Sequence, residues 1–157
     1  MNQASQKENS VELKHHGQSG RLLAIDLGAK RVGVAVSDEL RLTVRPVTTI
    51  ERRSWKDLLR QVSKQITMLD ARGLVVGLPL NLDGSAGAAA AEAQQIAAKF
   101  ELSLKIPVYL QDERLTTEEA KSRLRDIQKP ELDGKIDSAA AAIILQDFID
   151  QQQRDAL

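Results

Sequence analysis

Three acidic residues occupy positions where ordinary structure gives a carboxylate little reason to be. Asp26 closes the apolar run of RLLAIDLG, Glu113 closes that of KIPVYLQDE, and Asp137 heads the alanine-rich stretch DSAAAAIIL. A carboxylate at the end of a buried strand is expensive to desolvate unless it is paired, hydrogen-bonded or metal-bound. Asp before Gly is also a common turn former, and that reading of Asp26 stays open. After Asp137, residues Ala141, Ile144 and Phe148 follow at i+4, i+7 and i+11. On a helix they lie within about 40° of its direction, so its carboxylate faces the protein. An N-cap role, with Ser138 next, explains the same Asp without chemistry. Asp147 and Asp150 point away from that stripe and read as solvated. Adjacent acids on a strand point to opposite faces, so only one of Asp112 and Glu113 can aim at a shared site. A polar loop entering a helix is the alternative there.

Inward acids with no His or Cys beside them suit Mg²⁺ or Mn²⁺ in preference to zinc. Two such ions about 4 Å apart activate a water and stabilise a leaving oxygen in phosphodiester hydrolysis. Asp26, Glu113 and Asp137 are therefore candidate metal ligands and catalytic residues. Phosphate contacts fall to Lys30, Arg31 and Arg114, with Arg52 and Arg53 behind them; Arg114 could equally pair with its neighbouring acid. Net charge is zero, from 22 basic and 22 acidic side chains. The sum hides an asymmetry: residues 21–64 carry ten basic against five acidic, and residues 65–120 four against eight. That pattern suits a phosphate-binding surface beside a carboxylate cluster; charges that merely solvate an α/β surface explain it equally well.

The elements that must position these groups follow from periodicity. RLLAIDLG reads as a central strand buried on both faces. A short turn through Gly28-Ala29-Lys30-Arg31 makes VGVAVSD its antiparallel partner. LTVRPVTTI is β-rich, and Pro46 assigns it to an edge. Ser54 caps a helix in which Trp55, Leu58, Leu59, Val62, Ile66 and Leu69 recur at helical spacing. GLVVGLPL is a third buried strand, ended by the turn formers of NLDGS. An Ala-rich helix over roughly 86–100 leads to the strand KIPVYLQDE. A capping pattern at Thr116 or Thr117 opens a further helix, KPELDG is a loop, and a last helix runs from about Asp137 to Asp150. The order β-β-β-α-β-α-β-α-α implies an α/β fold: a five-stranded mixed sheet, three strands in an antiparallel meander and two parallel, with flanking helices. Ligands of such sheets gather at the carboxyl ends of the parallel strands, where Asp26 and Glu113 both fall.

The 157 residues are the size of one domain. Residues 1–19 read as a disordered polar tail, His15 and His16 included, 20–150 as the folded domain, and 151–157 as a fraying C-terminal tail. There are no cysteines, which excludes disulfides and thiolate metal sites. No apolar run approaches the roughly 18 residues of a membrane span, and the first twenty lack a secretory stretch. A cytoplasmic address is expected by elimination.

Four segments, AIDLGAKRVGVAVSD, VVGLPLNLDGS, DERLTTEEA and DSAAAAIIL, together resemble the YqgF family, also called RuvX, of Holliday-junction-resolvase-like nucleases. The resemblance spans about residues 21–149. It implies a ribonuclease-H-like fold, acidic site positions at Asp26, Glu113 and Asp137, and a role in maturing the 5′ end of pre-16S ribosomal RNA, with structured RNA or pre-ribosomal particles as partners. Junction-resolving cleavage of branched DNA shares the chemistry, and a catalytically weak RNA-binding assembly factor is a third reading. An actin-like kinase also opens with Asp-x-Gly and a hairpin but needs two such domains, and this chain has the length of one. Relatives often carry Thr or Ser where Ala29 stands, basic residues where Ala93-Gln94-Gln95 stand, and a more Arg-rich loop before Asp137.

Overall fold

The computed structural model describes residues 19–115 and 133–156. The capping pattern at Thr116 and Thr117, the KPELDG loop up to Leu132 and the tail through residue 18 lie outside the described residues.

Strand β1 (Arg21–Leu27) is buried on both faces, with Leu22, Leu23, Ala24 and Ile25 fully inaccessible. It pairs antiparallel with β2 (Arg31–Ser37), which pairs antiparallel with β3 (Val44–Glu51). On its other side β1 pairs in parallel with β4 (Ala71–Leu78), which pairs in parallel with β5 (Val108–Asp112). The sheet order is β3-β2-β1-β4-β5, so the meander and the two parallel strands expected from the sequence are both present. Pro46 sits on the edge strand beside a register shift between Val34 and Ala35, where its missing N–H costs least.

Period-two alternation divides the core in two. Leu23, Ile25, Val34, Leu74 and Val76 face helices α1 (Trp55–Leu69) and α2 (Ala88–Ser103), packing on Leu58, Val62, Ile96 and Phe100. Leu22, Ala24 and Val75 face the other way, onto Ile144, Leu145, Phe148 and Ile149 of helix α3 (Asp133–Asp155). The Ser54 hydroxyl accepts the Asp57 N–H at 3.2 Å, so the expected cap of α1 is formed.

Three local expectations are corrected. Helix α3 begins four residues before Asp137, which is therefore an interior helical residue and not the cap. It continues to Asp155, because Gln151 to Asp155 contain no breaker and the Gln151 side chain meets Gln111 of β5 at 3.4 Å. Asp147 is not a solvated acid: its Oδ2 is buried without a hydrogen-bond partner among the described residues, and burial raises its pKa.

Candidate active site

By alternation Asp26 lies on the α3 face of β1, directly opposite Gly33 of β2. Strand β5 ends at Asp112, one residue short of expectation, and Glu113 opens a 3-10 turn (Glu113–Leu115). Asp112 and Glu113 separate as adjacent acids must. Asp112 takes Arg114 in a two-pronged pair, Nε at 3.0 Å and Nη2 at 2.7 Å from Oδ2. Glu113 instead forms a side-chain hydrogen bond with Asp26.

Two carboxyls in that contact cannot both be charged at low cost. Burial above all raises the Glu113 pKa, the hydrogen bond to Asp26 and the charges of Asp26 and Asp112 add to it, and it reaches about 8. Near neutrality Glu113 is the donor and Asp26 the acceptor. Burial raises the Asp26 pKa too, the Glu113 hydrogen bond lowers it, and the charge of Asp137 pushes it up again. Asp137 therefore lies within the electrostatic field of the pair. Its own carboxylate is 3.5 Å from Arg31 Nε, at the start of β2.

Two glycines inside strands make this approach possible. A Cβ on Gly33 would coincide with the Asp137 carbonyl and lie 2.8 Å from Ser138 N, so α3 rests directly on the β2 backbone. A Cβ on Gly77 would occupy the Glu113 carboxyl and stand 2.7 Å from Ile144 Cδ1. Neither glycine carries a group with chemistry of its own. The available signal was glycine inside an otherwise apolar strand, which marks close approach of another chain segment.

Among the described residues no three acids stand close enough to share an ion as the side chains lie. Asp26 and Glu113 meet; Asp137 is alongside, engaged by Arg31. Of the expected phosphate contacts, Lys30 and Arg31 are exposed on the β1–β2 turn. Arg114 is held by Asp112 and packs under Gly84. Arg52 is a structural strut, giving Nη1 to the Gly28 carbonyl at 2.9 Å and Nη2 to Glu92 at 2.8 Å. Arg53 pairs with Glu51 at 3.0 Å on the surface.

A family model described as RuvX, Holliday junction resolvase, matches residues 20–151. The chain belongs to the RuvX family. A RuvX relative from Anaeromyxobacter sp. (strain K), provisionally named a pre-16S rRNA nuclease, is 42% identical over 134 residues, covering 84% of this chain and 98% of that protein. One of the same name from Roseiflexus sp. (strain RS-1) is 40% identical over 138 residues, covering 87% and 98%. Among solved structures, Thermus thermophilus RuvC in complex with a Holliday junction substrate aligns with a TM-score of 0.57 at 14% identity, over 85% of this chain and 96% of that one. The RuvX chain thus has the ribonuclease-H-like fold of the resolvases, and it is a nuclease.

Proposed function

We propose that this nuclease hydrolyses phosphodiester bonds at the 5′ end of pre-16S ribosomal RNA, using Mg²⁺ or Mn²⁺ held by Asp26, Glu113 and Asp137. The observation that carries the reading is the Asp26–Glu113 carboxyl pair at the ends of two parallel strands, with a third acid in its field. A structural role would favour a cation or an amide opposite Asp26, not a second buried acid. The donor chemistry fits a hard divalent ion: every candidate ligand is an oxygen, and a proton now sits between acids that a cation would hold together as anions. Relatives at 42% and 40% identity bear the pre-16S rRNA name, and this chain spans nearly their whole length. Maturation of that RNA accords with the expected cytoplasmic address, and no helix among the described residues is long and apolar enough to cross a membrane.

When bound, the divalent ions supply Lewis-acid chemistry and neutralise charge at the phosphate. The chain's own groups do the rest. Lys30 and Arg31, on the turn beside Asp26, take the phosphates flanking the scissile bond. Asp26, Glu113 and Asp137 would hold the ions, the Glu113 proton passing to solvent water so that Asp26 and Glu113 act as two anions. Asp137 leaves Arg31 to become the third, which frees that guanidinium for the substrate. Water adds to phosphorus, one P–O ester bond breaks, and a hydroxyl and a phosphate monoester separate. Arg114, paired with Asp112, orders the turn that carries Glu113 and keeps an exposed edge toward substrate phosphate.

Branched DNA is the second reading, favoured by the description of the family model. One experiment separates the two: purified protein with Mn²⁺, offered a precursor rRNA leader and a four-way DNA junction, beside Asp26→Asn. Site-specific cutting of the RNA, lost in the variant, is expected. Cutting of the junction alone makes the protein a resolvase, and an equally active Asp26→Asn removes the acid site from the mechanism.

A further inference from the structure

A cleft of about 210 Å³ lies beyond the β1–β2 turn, on the side of the sheet away from α3, between the start of α1 and the outer face of α2. It is lined by Arg53, Trp55, Gln95 and Lys99, and closed by Arg52 and Glu92. Arg52 connects it to the acids, since the guanidinium that forms its wall also holds the Gly28 carbonyl, two residues from Asp26. A strand bound at Lys30 and Arg31 would need to continue only around that turn to enter it.

We infer that this cleft takes a nucleotide of the single-stranded segment flanking the cut, its base against Trp55 and its phosphate between Arg53 and Lys99. Trp55 is held edge-on by Phe100, with ring centroids 4.8 Å apart, and so presents a fixed indole to the cleft. Lys99 Nζ stands 5.4 Å from the indole centroid. A base replacing the ammonium over the ring would release it to a phosphate, and base–aromatic stacking tolerates any sequence. Among the described residues Glu92 is the one acid in the lining, and its partnership with Arg52 blunts its repulsion of a phosphate. The start of α1 is not the anion holder, because Ser54 and Asp57 already occupy it. The inference rests on the proposed nuclease reading for its ligand class, yet it can be tested apart from cleavage.

Trp55 is the only tryptophan in the chain, so its emission reports on this cleft alone. The full chain, without added metal, is titrated with hexaadenylate while the anisotropy of a labelled copy follows total binding. A saturable change in Trp55 emission that tracks the anisotropy is expected. Lys99→Ala, folded as judged by an unchanged Tm, should weaken binding and lower its salt slope by about 0.7. Binding by anisotropy with silent Trp55 emission, no binding at all, or full affinity in Lys99→Ala each overturns the assignment. Cleavage of precursor RNA with silent emission leaves the nuclease reading standing and removes the cleft. A saturable Trp55 response in a protein that cuts nothing does the reverse.

Discussion

Glu113 keeps its proton above all because burial penalises its charge, and then because Asp26 accepts the proton in a hydrogen bond; this has a sign that can be measured. In the metal-free protein the folded state holds that proton up to about pH 8, whereas the unfolded chain releases it near the ordinary 4.5. Between those values unfolding releases a proton, so stability falls as pH rises. The contribution is fully present below the lower value and gone above the upper one. Thermal unfolding without metal should show Tm declining across this window, and Glu113→Gln should flatten the decline. A wild-type Tm that rises through the window would mean that the pair is not protonated. Divalent ions compete with the same proton, so stabilisation by added Mn²⁺ should grow as pH rises. Equal stabilisation at both ends of the window would place the ion elsewhere.

At the scale of elements, the site depends on how closely α3 can lie on the sheet. Gly33→Ala puts a methyl group where the Asp137 carbonyl stands, and backbone cannot yield as a side-chain tip can. Overpacking of this kind costs about 1–3 kcal/mol, and lifting the helix start also moves Asp137 away from Asp26. The variant should melt several degrees lower and lose most of its cleavage, while Ala35→Gly on the same strand should lose stability alone. A fully active Gly33→Ala would show that the helix tolerates displacement. Asp137→Asn separates charge from fold. Asp137 is inside α3, and its ion pair with Arg31 is partly exposed, so the change should leave Tm nearly unaltered. Cleavage with Mn²⁺ should fall by orders of magnitude, and an early-melting variant that cuts normally would make Asp137 structural.

The strands were legible because burial on both faces writes a continuous apolar run, and Pro46 disclosed the edge. The inward aim of Asp137 was legible from its helical stripe, but its place within the helix was not. Position along a helix depends on where the preceding turns begin, and Asp137-Ser138 imitates a cap. The glycine contacts were hidden for a different reason. A missing Cβ shows only that room exists, and what fills the room is a residue about a hundred positions away in the Gly33–Asp137 case. The Arg52 contacts to Gly28 and Glu92 were hidden because a cation beside a turn looks the same in sequence whether it binds a carbonyl or a phosphate. Asp147 was misread because helical angle alone does not reveal how far α3 is wrapped by β2 and β3.

Over the whole molecule, zero net charge conceals two ends with different character. The larger cleft, about 700 Å³, lies where β1, β4 and β5 begin and mixes Arg21, Arg72 and Lys105 with Glu39 and Asp70. It is far from the acids and offers no field of one sign. At the opposite end, Lys30 and Arg31 project from the turn beside Asp26, and exposed cations there should bind phosphates by releasing counterions. The logarithm of nucleic-acid affinity should therefore fall linearly with the logarithm of salt concentration. Each phosphate contact contributes about 0.7 to the slope for a single strand and about 0.9 for a duplex. Lys30→Ala should lower the slope by about one such unit and leave Tm alone. Arg52→Ala makes the contrasting case, because its guanidinium is largely covered and already spent on Gly28 and Glu92. Removing it leaves the Gly28 carbonyl without its donor, which costs about 1–3 kcal/mol where such a group is buried. Tm should drop while the salt slope persists. If Arg52→Ala lowers the slope as much as Lys30→Ala does and melts normally, the strut is a phosphate ligand after all.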